Sequence, residues 1–386
     1  MSLFAPAQVL EGRGTAGTLG QVLADQWAVA AGPVLFAHDP ELAHLAPTVR
    51  ASLESAGYEV KAFTDLRPEP DLATADRIAA AARRRPFAAV VGLGGGSTLD
   101  MAKVAAVAAA NPGPVEGFIG ENRVARPTAM LALVPTTAGS GAEASRNAML
   151  SIDGIKKQIR SVRIVPAIAV LDPELTVGLP PGVTAATGMD ALSHAIESYM
   201  STNHSPLTDV AALDAVRLVA RHLRTAYARP GDIEARQGML AAAYFGGLAL
   251  NAGAVLGHSV AYTVASRTGL AHGVTTALAL PYALAYNLGA LERDDRLAAL
   301  ARALGVGPDA AAISVVEAAF DLLVRCDLPT SLRAVGIARA DLTAMVDECV
   351  ARFPRPNNPR ALAPEPLAAL YEHMFEGDPL GLARSA

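Results

Sequence analysis

Asp190 and His194 stand four residues apart in the stretch GMDALSHAIE, residues 188 to 197, a spacing that puts both side chains on one face of a helix. Alone, such a pair is more often a hydrogen bond on a helix surface than a metal site. Two further imidazoles change the balance. His258 lies in the apolar segment 254 to 264, and His272 follows the Gly269-Leu270-Ala271 turn and precedes Gly273. Three imidazoles and a carboxylate in otherwise apolar segments make a good ligand set for Fe(II) or Zn(II). Such an ion acidifies an alcohol hydroxyl or polarises a carbonyl. The other five histidines, His38, His44, His204, His222 and His373, fall in loops or on amphipathic faces with charged neighbours, where surface roles suffice.

A second concentration of chemistry is the glycine turn 92 to 97, GLGGGS, which ends an apolar β run and opens a helical stretch carrying Asp100 and Lys103. Glycines let backbone amides approach phosphate oxygens closely, Ser97 offers a hydroxyl, and a helix N-terminus favours an anion. Neither GxxxxGK[ST] nor GxGxxG in the first βα turn is present, so these residues leave the nucleotide's identity open. A further turn, PTTAGSG at 135 to 141, gathers small hydroxyl residues and reads either as a phosphate or nicotinamide contact or as an ordinary polar loop.

Elements able to hold these groups are legible around them. Apolar runs at 32 to 38, 58 to 63, 87 to 96 and 130 to 135 alternate with helical stretches at 39 to 56, 73 to 84 and 99 to 109, the pattern of a parallel α/β sheet. Beyond Pro180-Pro181 long helical patterns take over, at 206 to 228, 232 to 250 and 309 to 325. A double proline continues neither element, so the join falls near 178 to 183. At 386 residues the chain exceeds one core and should form two domains. A net charge of -5 gives no broad positive field for a nucleic acid. Two cysteines, Cys326 and Cys349, supply neither a disulfide framework nor a four-sulfur site, which fits a reducing cytoplasm. The N-terminal residues do not have the build of a secretory signal. Residues 239 to 266 lack Asp, Glu, Lys and Arg and are long enough to cross a bilayer, but their glycines, Asn251 and His258 favour a buried helix pair, with no membrane partner.

Taken in order, GGGSTLDMAK at 94 to 103, PTTAGSGAE at 135 to 143, LDPELTVGLP at 171 to 180, GMDALSHAIES at 188 to 198, the His258 and His272 segments and NNPR at 357 to 360 resemble the iron-containing (group III) alcohol dehydrogenase family, related to glycerol dehydrogenases and maleylacetate reductases. The resemblance spans nearly the whole chain. It implies an α/β dinucleotide-binding domain at 1 to 180, with a parallel sheet and flanking helices, and an all-helical metal-binding and substrate domain at 181 to 386, metal and nicotinamide meeting between them. Asp190, His194, His258 and His272 would be the metal ligands. Gly95, Gly96, Ser97 and Asp100 would hold the pyrophosphate region, Thr136, Thr137 and Ser140 the nicotinamide side, and Lys156 would contact the nucleotide. Asp39, directly after the strand at 32 to 38, matches a carboxylate that binds the adenosine ribose and repels a 2′-phosphate, favouring NAD over NADP; it also reads as a helix N-cap before Pro40. Many members carry a histidine four residues after the third ligand, a proton relay, where this chain has Tyr262. The residues before NNPR, Phe353 to Pro356, match no particular substrate class.

The expected activity is cytoplasmic hydride transfer between NAD(H) and a small alcohol or aldehyde; by analogy alone, the resemblance also implies a homo-oligomer, with a strand near Gln8–Glu11 as its contact. Three rivals stand beside it. A maleylacetate-type reductase would be metal-free and usually lacks a carboxylate at the Asp190 position. A dehydroquinate-synthase-like lyase would need several basic pocket residues, which the metal segments do not show. A hydroxyacid-oxoacid transhydrogenase would keep its nucleotide bound throughout.

Overall fold

The computed structural model describes residues 2–293, 296–307 and 311–385, and the chain divides into two units. The first comprises Phe4–Thr137 and Gly141–Gly178. Its strands are β1 (Gln8–Glu11), β2 (Pro33–His38), β3 (Glu59–Phe63), β4 (Ala89–Gly94), β5 (Gly120–Glu121), β6 (Leu131–Pro135), β7 (Asn147–Ile152), β8 (Ile155–Arg160) and β9 (Ile168–Leu171), and its helices α1 (Leu19–Gln21), α2 (Ala46–Ser55), α3 (Leu72–Arg83) and α4 (Gly96–Ala110). Six strands form a parallel sheet in the order β1-β9-β6-β4-β2-β3. β4 and β6 are buried along their whole length, because helices cover both faces, and they therefore read as unbroken apolar runs. Leu99, Met101 and Ile78 pack on one side of the sheet, Leu19, Leu53 and Val49 on the other. The register pairs His38 with Leu93 and Gly94 with Pro135. Asp39, Gly95 and Thr136 thus leave neighbouring strands at one level on the carboxyl edge of the sheet, where open α/β sheets bind ligands.

Two departures from the sequence pattern have local causes. The helix expected from residue 39 opens as a short 3-10 turn, Pro40–Leu42, capped by the Asp39 carboxylate on the Glu41 amide, and α2 begins only at Ala46, with Pro47 in its first turn, where a missing N–H costs nothing. A second sheet, β5-β8-β7, was not anticipated. Its hairpin turns at Asp153-Gly154, both with positive φ (50° and 72°), as a tight two-residue hairpin turn requires.

The second unit runs from Leu179 onward and includes Ala138–Ser140. Its helices are α5 (Pro181–Met200), α6 (Pro206–Ala228), α7 (Ile233–Ala249), α8 (Leu256–Thr268), α9 (His272–Arg293), α10 (Leu297–Ala303), α11 (Ile313–Arg325), α12 (Leu342–Arg352), α13 (Pro364–Glu376) and α14 (Pro379–Ser385). Pro181 occupies the first position of α5 after an extended Pro180, so the double proline starts this unit. Ser205 and Thr208 form a reciprocal cap on α6, and Asp232 caps α7. The charge-free stretch 239 to 266 becomes the end of α7, a turn and α8, each helix too short to span a bilayer. α9 is long and apolar enough to do so, but 89% of its most apolar window is buried within the protein. Of the helix expected over 309 to 325, α11 covers Ile313–Arg325, and residues 309 and 310 lie outside the described residues.

Candidate functional site

α5 positions the first residues of the cluster. Asp190, His194 and Glu197 fall at i, i+4 and i+7, on one face, and all are buried, at 5%, 6% and 1% exposure. α8 contributes His258, and His272 is the first residue of α9. One ligand atom each from Asp190, His194 and His258 lies within 4.8 Å of the others. His272 joins them: its Nε2 and that of His194 are each 3.8 Å from Asp190 Oδ1. That is too long for a hydrogen bond, but near the separation of about 3.4 Å expected for two ligands held tetrahedrally at about 2.1 Å from one ion. The Thr276 hydroxyl, one turn into α9, donates to Asp190 Oδ1 at 3.0 Å and fixes the carboxylate.

Glu197 gives the cluster its orientation. Its Oε1 lies 2.7 Å from His258 Nδ1, and Oε2 accepts from the amides of Val255 and His258 at 2.9 and 3.2 Å. A carboxylate at Nδ1 keeps that nitrogen protonated and leaves Nε2 as the lone-pair atom. Nε2 of His258 is buried with no hydrogen-bond partner among the described residues. Buried imidazole nitrogens left unpaired are costly unless something else binds there. Residue 257 is glycine because a Cβ would sit 2.5 Å from Glu197 Oε1. Burial pushes the Asp190 carboxyl up, yet His194, His272 and His258 with Thr276 outweigh it and hold it below its ordinary value; burial likewise depresses His194, against the pull of Asp190. An ionised carboxylate and a neutral imidazole are the states a metal ion requires. The donor set therefore fits a divalent ion.

Around this cluster, Tyr262 stacks on His272 with ring centroids 5.7 Å apart and tilts against Phe353 at 5.2 Å. The segment that carries Phe353, Arg355 and NNPR is fastened to α8 and its neighbours. Ser259 donates to the Phe353 carbonyl at 2.7 Å and accepts from Arg355 Nε at 3.0 Å. Asn358 accepts from the Leu256 amide and exchanges hydrogen bonds with Asn287, and Asn357 donates to Ser201. The NNPR motif thus holds a loop beside α8, which carries His258.

In the first unit, Gly95 caps α4 and Gly96 is its first residue, so the amides expected to meet phosphate lie at a helix N-terminus. A Cβ at Gly94 would come 2.7 Å from Thr98 Cβ, which explains the small residue there. Ser97 Oγ accepts from the Glu69 amide at 3.1 Å. Asp100 is turned inward, 8% exposed, with Oδ2 on the Met149 amide at 3.0 Å and Oδ1 3.8 Å from Lys103 Nζ. Fully buried Lys103 donates to the Ser145 and Asn147 carbonyls at 3.0 and 2.6 Å. Burial raises Asp100 to about 6 and Glu143 to about 7, and lowers Lys103 to about 8. Lys156 on β8 pairs with Glu69 at 3.1 Å. Thr136 is buried, with a hydroxyl that has no hydrogen-bond partner among the described residues; Thr137 and Ser140 are half-buried. Gly139 packs against Thr187 of α5, its would-be Cβ 2.7 Å from Thr187 Cβ.

Glu197 and Thr276 belong to the cluster but carry no motif of their own in the sequence. Their signal was spacing: Glu197 continues the Asp190 and His194 face by three residues, and Thr276 follows His272 by four.

One unit carries a parallel sheet with a glycine turn at its carboxyl edge and the other a buried carboxylate and imidazole cluster, and the chain's relatives make it an oxidoreductase acting on CH–OH groups. Residues 6–173 match the family described as iron-containing alcohol dehydrogenase, and residues 184–375 match the Fe-containing alcohol dehydrogenase family, C-terminal. The chain belongs to the iron-containing alcohol dehydrogenase family and is an alcohol dehydrogenase. It is 35% identical over 380 residues to long-chain-alcohol dehydrogenase 1 of Geobacillus thermodenitrificans (strain NG80-2), covering 94% of each chain. Its fold matches the crystal structure of a 1,3-propanediol oxidoreductase with a TM-score of 0.90 and 30% identity, covering 97% of this chain and 99% of that one. A sulfoacetaldehyde reductase from Bifidobacterium kashiwanohense, solved in complex with NAD+, superposes with a TM-score of 0.86 and 27% identity over 98% and 99% of the two chains.

Proposed function

We propose that Asp190, His194, His258 and His272 hold one divalent metal ion, Fe(II) or Zn(II), and that the chain moves a hydride between NAD(H) and a small alcohol or aldehyde. Residues 1 to 180 act as the dinucleotide-binding domain and 181 to 386 as the metal and substrate domain. The observation that carries this reading is the buried, unpartnered Nε2 of His258, its tautomer set by Glu197, beside an ionised Asp190. When bound, the ion supplies a Lewis acid that acidifies an alcohol hydroxyl or polarises an aldehyde carbonyl.

The chain's own residues do the rest. Asp190, braced by Thr276, contributes the negative charge of the ligand set, and Glu197 aims His258. Burial raises Tyr262 above its ordinary value, so it keeps its proton at neutral pH and serves as a hydrogen-bond donor to substrate or water. Amides at Gly95 and Gly96 with the Ser97 hydroxyl hold the pyrophosphate, while inward-facing Asp100 steadies the first turn of α4 from behind. Thr136, Thr137 and Ser140 line the nicotinamide side, and Lys156 reaches the nucleotide by leaving Glu69. Asp39 caps the turn after β2 through one oxygen and turns the other to the adenosine ribose, selecting NAD over NADP. The NAD+ complex of the sulfoacetaldehyde reductase supports that choice. Both cysteines are buried and unpaired, which supports a reducing compartment.

The test is anaerobic purification, elemental analysis, and a panel of small alcohols and aldehydes assayed with NAD(H) and NADP(H). A single Fe or Zn per chain, chelator-sensitive turnover and a preference for NAD(H) are expected. Turnover by metal-free protein would instead favour the maleylacetate-type reading.

A further inference from the structure

Arg355 is one of several described arginines of the helical unit, Arg236 and Arg360 among them, that have no carboxylate partner, but it is set apart by packing beside the histidine cluster. Arg267 and Arg352 pair with Glu348, and Arg296 pairs with Asp209. Among the described residues no carboxylate lies within ion-pair distance of Arg355, although it is half-buried. Its position is nonetheless fixed. Nε donates to Ser259 Oγ at 3.0 Å, Ser259 is fully buried, and the guanidinium carbon lies 5.9 Å from the Tyr262 ring centroid. Ser259 directly follows the ligand His258, and Tyr262 stacks on the ligand His272. A rigidly held guanidinium with no counter-charge, two ring contacts from the metal ligands, is short of an anion. Its planar fork suits an oxyanion presenting two oxygens.

We propose that Arg355 is the subsite for a carboxylate or sulfonate at the far end of the substrate, so that the enzyme acts on short ω-hydroxy acids and their aldehydes. This rests on the reading above, in which the reacting hydroxyl lies at the Asp190, His194, His258 and His272 cluster. The His272 ring centroid and the Arg355 guanidinium carbon lie 5.7 Å and 5.9 Å from the Tyr262 ring centroid, so both flank one side chain. Tyr262 and Phe353 supply apolar walls for the chain between them.

The experiment compares kcat/KM for 4-hydroxybutanoate with that for butane-1,4-diol, in the wild type and in Arg355→Met, which keeps the apolar stem and removes the charge. The same comparison with 3-hydroxypropanesulfonate tells a carboxylate subsite from a sulfonate one. Titration calorimetry with unreactive butanoate gives a readout independent of turnover. We expect the wild type to prefer an anionic substrate, the anionic-to-neutral ratio to fall on the order of 100-fold in Arg355→Met, and butanoate binding to be lost. Equal use of both substrates by the wild type, or an unchanged ratio in the variant, would overturn the assignment while leaving the dehydrogenase reading intact. Absence of turnover with either class would overturn that reading instead, and the butanoate titration would then decide Arg355 alone.

Discussion

Replacing Glu197 by Gln keeps the shape of the side chain and changes one acceptor oxygen into a donor. The native carboxylate faces three groups: His258 Nδ1 at 2.7 Å on one oxygen, and the Val255 and His258 amides at 2.9 and 3.2 Å on the other. If the new amide nitrogen faces His258, Nδ1 must accept, the ring proton moves to Nε2, and the lone pair needed for a metal is gone. If the nitrogen turns the other way, it meets two backbone N–H donors at a site only 1% exposed. Either arrangement leaves buried donors unsatisfied, at about 1–3 kcal/mol. Loss of a group that orients a ligating histidine lowers metal affinity by about 10–100-fold, or about 1.4–2.7 kcal/mol. The two ranges agree. The assay is competition for Zn(II) or Fe(II) between the protein and a chromogenic chelator at fixed pH, with circular dichroism and a thermal melt to verify folding. A folded Gln variant with wild-type affinity would refute the reasoning and reduce Glu197 to a core hydrogen-bond partner.

Further outcomes follow from the same contacts. Gly273→Ala would bring a Cβ within 2.7 Å of the Ala186 carbonyl oxygen, backbone against side chain, right after His272; we expect a loss of about 1–3 kcal/mol and of bound metal, and unchanged melting with full metal content would contradict it. Asp39→Ala should raise the NADP-to-NAD ratio of kcat/KM by on the order of 10-fold, measured with one alcohol and both nucleotides; an unchanged ratio would leave Asp39 as a cap alone. Glu143→Gln should alter the pH dependence of stability. Burial raises this carboxyl from 4.5 to about 7, so the folded state binds its proton more tightly than the unfolded chain does. Its contribution is full below about 4.5 and is lost as pH rises through about 7. Thermal melts across that window should slope less in the variant, though Asp100, raised to about 6, keeps part of the slope; identical slopes would sink the assignment.

Much of the fold was legible because β4 and β6, covered on both faces, had to be continuous apolar runs, and because caps and prolines mark where helices begin. Asp232 and Ser205 announce α7 and α6 in this way. The β7-β8 hairpin escaped notice although Asp153-Gly154 is a strong turn signal, since the polar IKKQIR of β8 lacks the apolar alternation of a half-buried strand. Spacing pairs Asp190 with His194 on one helix, but only the tertiary packing of α5, α8 and α9 brings His258 and His272 to them. Arg355 is 96 residues from Ser259 in sequence, and no local pattern joins them. Lys156 illustrates the same limit, because its partner Glu69 lies on a distant loop.

The central claim is that a divalent ion sits where His258 Nε2 is left without a partner. Metal content should therefore be measured side by side in the wild type and in His258→Ala, purified anaerobically, with NADH binding followed by fluorescence to show that the nucleotide unit is intact. A single Fe or Zn per wild-type chain, metal-depleted and inactive His258→Ala, and NADH binding retained in both are expected. A variant that keeps its metal and its turnover would contradict it.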